Sequence, residues 1–89
     1  MRNERFARFA GIELVNKRNF TEKVLLVMSY DFVDNDTINI IVIEDGSFPN
    51  AFLAHRDTTV QEVMDSLRLG SDYNITKTYN TFNSIKITL

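Results

Sequence analysis

The sequence contains no cysteine and no tryptophan, a single proline, a single histidine and only three glycines. Without cysteine there is no disulfide, no thiol nucleophile and no thiolate metal ligand. Gly11, Gly46 and Gly70 stand far apart, so no glycine-rich phosphate loop can form. No apolar run approaches the length of a membrane span or resembles the core of a secretory signal, so neither a membrane segment nor a signal peptide is expected. A basic excess is also missing. The formal net charge is −2 and the isoelectric point is near 5.2, against a binder that holds nucleic acid by charge alone. With 44% hydrophobic and 25% charged residues, 89 residues supply one globular core and leave no room for a second. A single cytoplasmic domain spanning 1–89 is the expectation.

The charge is unevenly spread. Residues 1–23 carry six bases against three acids, 24–65 one base against eight acids, and 66–89 three bases against one acid. A basic end beside an acidic middle suits an intramolecular match or two surfaces for two partners, and suits an ordinary mixed surface better still.

Residues 1–10 set Phe6, Phe9 and Ala10 at helical spacing among Arg2, Arg5 and Arg8. The segment reads either as a short helix docked by its phenylalanines or as a mobile basic arm, and removal of residues 1–5 is expected to leave the fold intact. Ile12-Glu13-Leu14-Val15 reads as a short strand, and Asn16-Lys17-Arg18-Asn19 as a turn. Residues 24–33 give the strongest strand pattern, with Val24, Leu26, Met28, Tyr30 and Phe32 on one face and Leu25, Val27 and Val33 on the other, as in a strand central to its sheet. Asp34-Asn35-Asp36 favours a tight turn. Thr37 to Glu44 then alternates Ile38, Ile40 and Val42 with Ile41 and Ile43, closing a hairpin that Asp45-Gly46 ends. Residues 47–56, which hold Pro49, read as a loop whose Phe48, Phe52 and Leu53 fold back on the core.

Residues 57–69 form the clearest helix pattern. Val60, Val63, Met64 and Leu67 make one apolar stripe, two capping boxes overlap at Thr58-x-x-Gln61 and Thr59-x-x-Glu62, and Gly70 offers a left-handed stop. Tyr73, Ile75, Lys77 and Tyr79 alternate with polar residues as in a half-buried strand, and Ile85, Ile87 and Leu89 do so in a final strand over 84–89. Together these elements make a two-layer α+β fold: a mostly antiparallel sheet with a β-hairpin, and one main helix packed on one face.

Two strings add a family likeness. Asp57-Thr58-Thr59-Val60-Gln61-Glu62-Val63-Met64-Asp65-Ser66-Leu67 resembles the helix of β-grasp, ubiquitin-like and sulfur-carrier-like domains. Ser71-Asp72-Tyr73-Asn74-Ile75, followed by the strand at 84–89, resembles the stretch before the last strand of ubiquitin. The resemblance, confined to 57–75 and 84–89, implies a β-grasp-like arrangement with a turn rather than a strand at 73–75. It also implies a partner-binding role. No Gly-Gly pair closes the sequence, so conjugation and sulfur carriage are not implied.

No constellation for chemistry assembles. His55 lies between Ala54 and Arg56, with Ser47, Asp45 and Asp57 nearby but linked by no spacing rule, so no catalytic residue is assigned. Asp31, Asp34 and Asp36 crowd one turn without the register or distal Glu of an EF-hand, so no metal or cofactor is expected. Three Asn-x-Thr sequons begin at Asn19, Asn35 and Asn74; without a secretory signal they carry no weight. The nearest approach to a nucleic-acid signature is Arg2, Arg5, Arg8, Lys17 and Arg18 with Phe6, Phe9 and Phe20 interleaved, since guanidinium groups neutralise phosphates and aromatic faces stack bases. The expected function is a small non-enzymatic protein–protein interaction module, an accessory, adaptor or inhibitor protein of bacterial or phage type. It would act as monomer or homodimer on an unidentified protein partner. The alternative is a nucleic-acid binder using the basic N-terminal residues.

Overall fold

The computed structural model describes residues 2–34, 36–44 and 48–80; the side chains of 30–34 lie outside that description. So do the expected strand at 84–89, the turn residue Asn35 and the Asp45-Gly46 stop. Five strands are described: β1 (Gly11–Asn16), β2 (Lys23–Asp34), β3 (Thr37–Glu44), β4 (Asn50–His55) and β5 (Tyr73–Tyr79). One α-helix, α1 (Val60–Ser66), lies between β4 and β5, and a 3-10 turn spans Phe6–Arg8. The sheet order is β4-β3-β2-β1-β5, every neighbour antiparallel. The fold is therefore the expected α+β arrangement of an antiparallel sheet, a hairpin (β2–β3) and one helix, and among the described residues the sheet is not closed, with β4 and β5 at its edges.

Period-2 alternation sorts the strands into two faces. Ile12 and Leu14, Val24 and Leu26, and Ile38, Ile40 and Val42 are buried together with Val60, Val63 and Met64 of α1. Phe6 and Phe9 join the same cluster, so the residues before β1 are docked by their phenylalanines. Backbone bonds fix them further. Phe6 N–H donates to Thr58 C=O, Val60 N–H to Glu4 C=O, and Gln61 N–H to Arg2 C=O. In this arrangement residues 2–9 are docked against the sheet and the start of α1.

Three expectations need correction. Residues 50–55 form a strand, not a loop: β4 pairs with β3 from Thr37↔His55 to Val42↔Asn50. Of its apolar residues only Phe52 and Ala54 pack against the core, while Phe48 is 91% and Leu53 57% exposed. The helix is shorter than its pattern. Thr58 is engaged by Phe6, so Thr59 becomes the N-cap; its Oγ1 accepts from Glu62 N–H, and its own N–H donates to the Glu62 carboxylate. At the other end Arg68, not Gly70, takes the left-handed conformation, with φ 61°. Leu69 N–H donates to Met64 C=O and Arg68 N–H to Asp65 C=O, a Schellman closure that tucks Leu69 into the core. Gly70 serves close approach instead, because a Cβ there would collide with the Asp65 carboxylate. At 73–75, where the resemblance implied a turn, β5 is already a strand paired with β1.

Candidate functional site

Both helical elements lie on one face of the sheet, and the opposite face carries an unusual residue set for a surface. Register brings Leu25 opposite Ile43, Val27 opposite Ile41, and Ile41 opposite Ala51, with Leu53 beside Asn39. None of these apolar residues belongs to the core beneath the helix. Val27, at the centre of the middle strand, is buried among its neighbours; Leu25, Ile41 and Ile43 are half-buried and Leu53 is exposed. A sheet with one face solvated normally alternates apolar-in and polar-out. Here β2 and β3 are apolar on both faces, and the apolar stripe continues onto β4. Asn39 contributes a buried Oδ1 that finds no donor among the described residues.

The edge of that face is β4. Residues 50–55 include no Lys, Arg, Asp, Glu or Pro, and Phe48 stands almost wholly in solvent just before the strand. His55 closes the strand: its Nδ1 accepts from Asp57 N–H at 3.1 Å, while the Asp57 carboxylate lies 3.3 Å from Arg5 and 3.7 Å from His55. Those contacts pin the turn into α1. They present no nucleophile.

Among the described residues, Asn19, Thr21, Glu22, Lys23, Val24, Glu44 and Tyr73 line an open groove of about 570 Å³. Its central carboxylate, Glu22, accepts from Asn16 Nδ2 at 3.0 Å, Asn19 Nδ2 at 3.4 Å and the Tyr73 hydroxyl at 3.5 Å. These bonds tie the β1–β2 turn to β5, which accounts for the polar lining structurally.

The basic residues singled out in the sequence do not converge. Arg2 is a clamp: its guanidinium donates to Gln61 Oε1 at 3.0 Å, Gly70 C=O at 3.1 Å and Tyr73 C=O at 3.0 Å. Arg5 pairs with Asp57. Arg8 precedes β1, whereas Lys17 and Arg18 follow it in an exposed turn, and a six-residue strand spans about 20 Å. Among the described residues no cluster of three or more His, Asp or Glu has the arrangement of a metal site. Periodicity had already marked Leu25, Val27, Ile41 and Ile43 as the second face of the hairpin. The reading missed β4, whose pairing with β3 carries that face to the sheet edge.

No family model, curated protein or solved structure matches this chain.

Proposed function

We propose that this chain is a small non-enzymatic protein-interaction module, an accessory, adaptor or inhibitor protein that engages another protein through the sheet face opposite α1. The observation that carries the reading is the apolar stripe of Leu25, Ile41, Ile43 and Leu53, which lies outside the core and on the side away from the helix. Leu53 is exposed and Leu25, Ile41 and Ile43 are only half-buried, and an apolar patch that continues across strands is found where a partner completes its cover. A cytoplasmic setting belongs to this proposal, because a cysteine-free domain of this size suits a compartment where disulfides do not form.

The test is affinity capture from the source lysate with wild type, Ile41→Lys and a Lys17→Glu/Arg18→Glu double variant, each checked for folding. The expected result is a protein retained by wild type and by the double variant and lost with Ile41→Lys. Retention of nucleic acid that depends on Lys17 and Arg18, or capture unaffected by Ile41→Lys, would overturn the reading.

A further inference from the structure

We propose that β4 pairs antiparallel with β4 of a second copy of this chain about a two-fold axis, joining two five-stranded sheets into one. The inference rests on the interaction reading and adds to it an edge and an occupant.

The hydrogen-bonding phase of β4 follows from two backbone bonds. Arg56 N–H donates to Asp36 C=O, one step beyond the Thr37↔His55 pair. In an antiparallel ladder the bonded pairs alternate, so Ile38/Ala54, Ile40/Phe52 and Val42/Asn50 exchange bonds within the sheet. The N–H and C=O groups of Ala51, Leu53 and His55 therefore point outward. His55 agrees with this phase, since its C=O accepts from Thr58 N–H in the turn outside the sheet. Ala51 and Leu53 are left with both backbone groups unpartnered among the described residues.

Edges of solitary sheets are usually protected by lysine, proline, inward charge or a bulge. The β5 edge has Lys77 and a register shift against Glu13/Leu14. The β4 edge has none of these within 50–55, and its register with β3 is regular. Of the exposed large apolar residues described, Phe20, Phe48 and Leu53, two sit at this edge.

Self-pairing suits this edge in particular. A two-fold axis perpendicular to the sheet pairs residues of the same face, so it must pass through a residue position. Centred on Phe52, it sets Ala51 against Leu53 of the second copy and Leu53 against its Ala51. That register uses the unclaimed N–H and C=O groups of both residues for four bonds and leaves the engaged His55 carbonyl alone. Phe52 meets Phe52, Asn50 meets Ala54, and Arg56 meets the exposed Phe48, where a guanidinium over an aromatic face is favourable. No like charges come opposite one another, and the apolar stripes of the two copies become continuous.

The test is sedimentation velocity of the full chain over a concentration series, with Leu53→Lys and Leu53→Pro as edge variants and far-UV circular dichroism to check folding. Proline at 53 removes an outward N–H and spares the bonds to β3. Wild type should reach twice the 10.3 kDa chain mass as concentration rises, and the folded edge variants should stay at the single-chain mass. Should both variants unfold, amide exchange of wild type decides: Ala51 and Leu53 should gain protection as concentration rises. A wild type that stays monomeric, a dimer that survives in a folded edge variant, or amides at 51 and 53 indifferent to concentration would overturn the pairing. A monomer that still captures a partner through Ile41 overturns the pairing alone; a dimer that captures nothing upholds it while the interaction reading fails.

Discussion

Arg2 donates to acceptors 59, 68 and 71 residues away in the chain, on Gln61, Gly70 and Tyr73. One planar fork thereby joins the N-terminal segment, the end of the helix and the start of β5. Replacing it with alanine leaves two carbonyls short of a donor, and urea melts should show a loss of about 1–3 kcal/mol, the range for charged hydrogen bonds in partly buried settings. Lysine should restore little, because an ammonium group cannot fork across separate acceptors in one plane. Lys17→Ala and Arg18→Ala, in the exposed turn, should fall within about 0.5 kcal/mol of wild type. The sequence displayed Arg2 as one of several bases among phenylalanines, a pattern equally consistent with binding phosphate. What separates the two roles is acceptors distant in sequence, and neither composition nor spacing records those. Phe6 was legible as a docking residue from its helical spacing with Phe9. It is wholly buried, and Phe6→Ala should cost about 3–5 kcal/mol.

The hairpin was the most legible of the elements, because β-branched residues in strict alternation leave few other options; β3 occupies the residues expected of it. The helix was legible in its stripe and obscure in its ends. Val60, Val63 and Met64 are all fully buried, so Val63→Asp should cost about 3–5 kcal/mol through an unpaired buried carboxylate and unfold so small a domain. The helix ends answer to tertiary contacts. Thr58 is taken by Phe6, which moves the cap to Thr59, and Arg68 accepts a left-handed conformation so that Leu69 can reach the core. Glycine pays no steric penalty in that conformation, so Arg68→Gly should raise stability by up to about 1 kcal/mol in the same melts. β4 was not legible as a strand. Asn50-Ala51 and Ala54 have low β propensity and Pro49 precedes them, so pairing with β3 rather than local preference makes the strand.

Among the described residues the sheet is asymmetric: one face is covered by α1 and the 3-10 turn, and the other carries the half-buried Leu25, Ile41 and Ile43 with the exposed Leu53. The N-terminal residues belong to the covered side. Deleting residues 1–5 would remove the Arg2 clamp, the Glu4–Val60 bond and the Arg5–Thr59 bridge. Contrary to the expectation for a chain end, the deletion should lower Tm by about 10 °C or more, at roughly 4–8 °C per kcal/mol for a domain of this size. The two-layer arrangement was foreseeable from the order of strands and helix. The apolar face opposite α1 was only half foreseeable, because both faces of β2 and β3 read as apolar and periodicity cannot say which the helix will cover.

Once a partner has been captured, titrating it with wild type and with Ile41→Lys at low and high salt tests the central claim most directly. Burial of apolar surface is only weakly sensitive to ionic strength, whereas contacts between exposed charges are screened. Binding through the sheet face opposite α1 predicts a Kd for wild type that changes little with salt and binding lost at both salts with Ile41→Lys. A Kd that weakens steeply with salt and is the same for both proteins would contradict it.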